Sequence, residues 1–421
     1  MLTSGRGRAR ATAWLAAMAV LVVGAASGSA QEIHGFVEDL EGIRTAEGEG
    51  FLGGTYTARE SRVQLRVSDY SDRGEYFVRL DFPFDRFAGD GVDMELREAY
   101  FTYTGFSWMT LKAGRQILTW GTGDLLFIND VFPKDWQSFF IGRETQYLKA
   151  PSDALRLSFY HELGNLEVVA MPAFEPDRLP TPDRLAFYNP LAGAVPPAQQ
   201  MPLEPGNEVK DGELAARAYR SLGSTEVAVY GFLGHFRQPV GFDVVAGRPY
   251  YPRLNMIGGS LRRGLEGGVV NVEGGYLDSP DDPIGDDPHV ENSSARFMFG
   301  YDRQLWTDFQ LGVQGYYEWI ADHDAYVEAL QPGAFVRDEW RQLYTLRMTK
   351  FLKYQTVQLS LFTFWSPTDD DYYVRAFASY KLSDPIELVL GTNVFGGDHE
   401  ETLFGQLDVN DNVYLRARYS F

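Results

Sequence analysis

The chain has 421 residues, 38 of them basic and 58 acidic, for a formal charge of −20, with no cysteine and 14% aromatic residues. So acidic a chain lacks the basic footprint that nucleic-acid binding requires. Without cysteine, neither a disulfide framework nor a thiolate metal site is available.

The N-terminus points to export. Arg6, Arg8 and Arg10 precede an apolar run from Ala11 to Ala26, and Gly28-Ser29-Ala30 supplies small residues for cleavage. This pattern predicts a signal peptide over residues 1–30, removed near Ala30-Gln31. Beyond it no apolar run is long enough for a membrane-crossing helix.

From Ile33 onward, segment after segment alternates with a period of two, the mark of a strand with one apolar and one polar face. Val63, Leu65 and Val67 interleave with Arg62, Gln64 and Arg66, and Phe309, Leu311 and Val313 with Gln310 and Gln314. About eighteen such segments have the length of a tilted membrane strand. Their connections alternate too. Tight turns fall at 71–74, 163–165, 221–224, 264–267 and 383–385. Between them run long linkers at 41–59, 83–92, 118–150, 173–211, 235–252, 278–291 and 320–337, and shorter ones at 366–371 and 396–407. A soluble β-sandwich also alternates its faces, but it has no reason to hold a short-long rhythm through the whole chain. The expectation is all-β: a transmembrane antiparallel up-and-down β-barrel of about 18 strands, with 16–18 the working range, over residues 31–421 in the outer membrane.

The last segment sets Val413, Leu415, Tyr419 and Phe421 on one face and Arg416 and Arg418 on the other. Alternating apolar residues ending in an aromatic resemble the signal read by the barrel-assembly machinery. They also place those four residues against outer-membrane lipid.

Signs of catalysis are lacking. The six histidines form no ligand-spaced pair, and no nucleophile turn, H-E-x-x-H or phosphate loop occurs. The Asp-rich stretches at 278–287 and 369–371 lack the spacing of a calcium loop and read as solvated acidic loops. The expectation is a protein without enzymatic activity, metal or cofactor.

On the polar strand faces stand Arg62, Arg66, Arg79, Arg156, Arg217, Arg296, Arg347, Arg375, Lys381, Arg416 and Arg418. The clearest opposing acids are Glu75, Asp81, Glu213, Glu318 and Glu387. A basic inner wall inside an acidic chain favours passage of small polar or anionic solutes. The plainer reading is that these cations pair with lumenal carboxylates and brace the barrel.

Loop 118–150 is dense in aromatic, glycine and charged residues, which suits a packed constriction within the barrel. Its candidate eyelet residues are Asp124, Asp130, Lys134, Asp135 and Arg143; the other reading is a compact external loop. Loop 173–211 is proline-rich, which argues against regular structure, and is expected to form an external lid or a partner surface.

The leader, the strand number, the basic lumen and Gly114-Arg115-Gln116 followed by Trp120-Gly121 resemble porin-like outer-membrane proteins grouped with the alginate-export barrels. That resemblance implies passive passage of an anionic polysaccharide through an arginine-lined pore. A different reading is a non-conducting barrel that serves as scaffold for a periplasmic export or lipid-transfer partner.

Overall fold

The structure is a computed structural model that describes residues 32–45, 54–87, 93–186, 201–206 and 211–421. The expected signal peptide lies outside the described residues.

Period-two alternation builds one continuous wall. It begins with β1 (Glu32–Arg44), β2 (Tyr56–Ser71), β3 (Gly74–Asp85), β4 (Glu95–Tyr103) and β5 (Met109–Ile117). It continues through β6 (Pro151–His161), β7 (Gly164–Met171), β8 (Glu213–Leu222) and β9 (Thr225–His235). A small hairpin, β10 (Gly241–Asp243) and β11 (Arg248–Tyr250), stands apart from the wall within a stretch expected to be plain loop. Then come β12 (Arg253–Leu265), β13 (Gly268–Asp278), β14 (Ser294–Trp306), β15 (Phe309–Ile320) and β16 (Trp340–Leu352). The wall ends with β17 (Val357–Ser366), β18 (Asp371–Ser383), β19 (Ile386–Gly397) and β20 (Asn412–Ser420).

Each strand pairs antiparallel with the next, and β20 returns to pair with β1, with Glu38 opposite Arg418 and Leu40 opposite Arg416. The result is a closed barrel of 18 strands, a wall in which every strand is paired on both sides. Phe421 extends the seam: its N–H donates to Gly35 O and its carbonyl accepts from Gly35 N, both at 2.9 Å.

Alternation sorts the side chains between two faces. Val37, Val63, Leu214, Ile257, Phe297, Leu390 and Leu415 point outward and are exposed, forming the apolar band of a lipid-facing barrel. Aromatic residues flank it, with Trp319 and Trp340 at the long-loop end and the stacked pair Trp306 and Phe309, 4.4 Å apart, at the short-turn end. The buried core lies inside the barrel, where residues 118–150 occupy the lumen.

Candidate functional site

The segment after β5 goes inward because it carries apolar residues on two sides. Leu118, Trp120, Val131 and Phe132 pack on Val169, Met171, Ala215, Phe232 and Met256, inward residues of β7, β8, β9 and β12. Leu126, Ile128, Phe139, Phe140, Ile141 and Leu148 pack on the opposite wall, against Leu40, Tyr316, Leu343, Tyr373, Phe395 and Tyr414. Removing one such side chain from water contributes about 1.5–3 kcal/mol, so a loop holding this many is far better placed in the lumen than outside it. Gly142, with φ of 89°, permits the closest approach: a Cβ there would lie 2.6 Å from the Tyr414 ring.

Polar anchors then tie the loop around the wall. Trp120 Nε1 donates to Glu167 at 2.5 Å. Glu273 accepts from the backbone N–H of Thr122 at 2.6 Å and that of Asn129 at 2.8 Å. Asp124 pairs with Arg347 at 2.7 Å, Glu144 with Arg418 at 2.5 Å, and Arg143 with Glu60. The Tyr147 hydroxyl donates to Asp81 at 2.8 Å, and its ring lies 4.5 Å from the Arg62 guanidinium and 4.3 Å from that of Arg97. A short helix at Trp136–Phe140 is capped by Asp135, which accepts from Ser138 N at 2.7 Å. Beyond that helix, Arg375 donates to the carbonyls of Phe139 and Arg143 at 3.3 and 2.8 Å.

These contacts tune the loop carboxyls in opposite directions. Burial pushes Glu144 up, but Arg418 outweighs it and holds the group below its ordinary value. At Asp124 burial prevails over the pull of Arg347, and the carboxyl is raised.

All eleven cations read from the sequence lie on the inward phase of their strands, opposite other inward residues. Most have carboxylate partners. Arg62 pairs with Glu60 and Asp81, Arg79 with Glu98, Arg156 with Glu167, and Arg217 with Glu226. Arg296 pairs with Glu318, Arg347 also reaches Asp302, and Arg416 and Arg418 share Glu38. The expected basic excess therefore shrinks, because Glu38, Glu60, Glu98, Glu167, Glu226 and Glu273 also face inward. Arg66 and Lys381 make no ion pair among the described residues and are open to the lumen, as is Arg262.

Of the five loop candidates, Asp130, Lys134 and Asp135 are buried in internal contacts, with Asp130 and Lys134 paired at 3.0 Å. Arg143 is buried on Glu60, and Asp124 is the most open of the five, its side chain 33% exposed. The described part of loop 173–211 clasps this segment from the long-loop end. Asp177 accepts from Lys134 N at 2.7 Å and Trp136 Nε1 at 2.9 Å, while Arg178 bridges Glu95 and Asp135 at 2.5 and 3.4 Å. A cavity of about 180 Å³ is lined by Arg62, Arg143 and Arg178 together with Asp85, Glu95 and Asp135. It is a charged cleft beside β2, β3 and β4.

Sequence reasoning missed Glu38, Glu60, Glu167 and Glu273, although each sits on the inward phase of a readable strand. Arg97 carried no such signal, because the register between β3 and β4 shifts beside it and breaks the alternation.

No protein-family model matches the chain, and no curated protein matches it. Among solved structures it is similar to OccD3 of Pseudomonas aeruginosa, with a TM-score of 0.54 and 11% identity over 93% of this chain and 91% of that one. It is similar also to OccAB4 of Acinetobacter baumannii, with a TM-score of 0.55 and 9% identity over 94% of this chain and 99% of that one. OccK3 of P. aeruginosa matches with a TM-score of 0.54 and 11% identity over 93% and 95% of the two chains. These structures support the general barrel resemblance and add nothing to the narrower likeness to alginate-export barrels. At such identities the likeness is one of fold, and the fold is that of an outer-membrane porin.

Proposed function

We propose that this chain is a passive outer-membrane channel for small polar solutes, narrowed by residues 118–150, with a modest preference for anions. The observation that carries the reading is the inward course of that loop, anchored on Glu167, Glu273, Arg347 and Arg418 around the wall. A loop so tied leaves solutes the charged cleft beside β2, β3 and β4 rather than the full width of the barrel. Its anchors are fixed dipoles and ion pairs, so the charge a solute meets is set mainly by groups left over. Arg66, Arg262 and Lys381 supply inward cations that make no ion pair among the described residues, and Glu75 and Glu387, on the same face, temper them. Paired arginines contribute little net field, since each is matched by a carboxylate within a few ångströms.

Planar-bilayer recording of the refolded chain under a salt gradient tests the proposal. Stepwise conductance with an anion-selective reversal potential is expected. Cation selectivity would remove the assigned role of Arg66, Arg262 and Lys381, and absence of conductance would favour the scaffold reading.

A further inference from the structure

The lipid-facing band is interrupted on β1. Val37 and Ile43 belong to it, 46% and 48% exposed, yet the outward residues between them are Asp39 and Glu41. On β2 the positions opposite these two acids are Ser61 and Arg59. On β20 they are Ala417 and Leu415, so the strand on the other side stays apolar at the same level. The charges thus lie within the band and not at its aqueous margin. Glu41 pairs with Arg59 at 3.5 Å and with Arg86, just beyond β3, at 3.1 Å. Asp39 is exposed, makes no ion pair among the described residues, and accepts a hydrogen bond from Ser61 Oγ at 2.6 Å.

Ionised groups that face hydrocarbon are disfavoured even when paired, because nothing replaces the water they lose. A surface that covers this strip has to bring both signs of charge in the same rows. An anionic lipid headgroup does not, since it would meet Asp39 and Glu41. The strip itself does. Acid and base stand side by side on adjacent strands, Glu41 on β1 opposite Arg59 on β2. A twofold axis parallel to the barrel axis, passing between β1 and β2, sets Glu41 against the partner's Arg59 and Asp39 against the partner's Ser61. Ser61 and Ala417 flank Asp39 and are small, which lets a second wall approach there. Such self-complementarity is what an isologous contact between identical chains requires.

We propose that the outward face of β1 and β2 is the contact between two copies of this chain, closed by a ring of alternating Glu41 and Arg59 charges across a twofold axis. The inference rests on the outer-membrane barrel and is independent of conductance. Native mass spectrometry of the full chain, refolded in detergent, should record a dimer. Glu41→Arg and Arg59→Glu each set like charges against one another across the axis, and each alone should lose the dimer. Mixed together, the two variants should recover it as a heterodimer, because one chain then offers only guanidiniums there and the other only carboxylates. Heat-modifiable gel mobility reports that each barrel has folded. Should either reversal fail to fold, a thiol carries the test, since the chain has no cysteine. Val63→Cys, the next outward position after Ser61, should be joined to its copy in membranes by a short bifunctional thiol reagent. Thr363→Cys, outward on β17, should not. A wild-type monomer, a dimer that both reversals leave intact, or reversed variants that fail to associate on mixing would overturn the proposal. A trimer would overturn the twofold arrangement. Lipid held by a wild-type monomer and lost from Glu41→Arg would assign the strip to headgroups instead.

Discussion

Glu38 of the first strand and Arg418 of the last meet 2.5 Å apart across the seam that closes the barrel, and the same guanidinium reaches Glu144 of the inward loop, also at 2.5 Å. One arginine therefore joins closure of the wall to placement of the loop within it. Glu38 is buried, and Arg416 lies 3.5 Å from it as well. Replacing Glu38 by Gln leaves two largely buried guanidiniums without that charge. Breaking a buried pair from one side typically costs about 3–5 kcal/mol. Glu38→Gln should therefore lower the urea midpoint of the refolded barrel, followed by its heat-modifiable gel mobility. Adding Arg418→Gln should recover part of the loss, and strictly additive effects in that cycle would show that the pair is not coupled.

Acid should release the loop through Glu144. Its carboxyl is held below the ordinary glutamate value of 4.5 by Arg418. A depressed carboxyl contributes stability that is complete above its unfolded value and is lost as pH falls through its folded value. The window for wild type thus lies below 4.5. Current fluctuations should increase there, whereas Glu144→Gln should show them already at neutral pH. Asp124 works in the opposite sense: burial raises its carboxyl, so its ionised form is disfavoured in the fold and its contribution is lost as pH rises. Asp124→Asn should accordingly raise neutral-pH fluctuations less than Glu144→Gln does.

The wall was legible in the sequence and the contents of the lumen much less so. Strand faces follow from alternation, which depends only on local residues, and Arg62, Arg375 and Arg418 lie on the inward phase of their strands. Pairing across the lumen is a different problem. Glu38 and Arg418 are 380 positions apart, and nothing local to either announces the other. The same holds for Asp124 and Arg347, brought together only when the loop is inside. Arg97 was illegible for a third reason, since the register shift beside it breaks the rule by which faces were assigned. The loop's inward course could be anticipated from its apolar density, but its anchor Glu273 could not, because one carboxylate serves two separated backbone N–H groups.

Glu273 makes that anchor testable. It accepts from Thr122 N and Oγ1 at 2.6 and 3.0 Å and from Asn129 N and Nδ2 at 2.8 and 3.0 Å. Hydrogen bonds to a charged acceptor contribute roughly 1.5–3 kcal/mol each. Glu273→Ala should free the segment between residues 122 and 129 and produce larger, noisier single-channel currents. Glu273→Gln, which keeps an acceptor oxygen but loses the charge, should fall between. Unchanged current in both would place this segment off the solute path.

Selectivity and stability should separate among the inward cations. Arg66 and Lys381 are open to the lumen and make no ion pair among the described residues, so their charge reaches a passing ion. Replacing both by Ser should move the reversal potential toward cations while changing the unfolding free energy by no more than about 0.5 kcal/mol, as for other surface changes. Arg62 and Arg375 should behave in reverse. Arg62 is only 2% exposed and is held between Glu60 and Asp81, and Arg375, 5% exposed, is spent on loop carbonyls. Arg62→Gln should cost several kcal/mol, since buried Asp81 loses its cationic partner and buried Glu60 keeps only Arg143. It should shift the reversal potential little, because the charge it removes was already matched at close range. A large selectivity change from Arg62→Gln with stability intact would reverse the assignment, making Arg62 an unmatched charge on the solute path rather than a brace between Glu60 and Asp81.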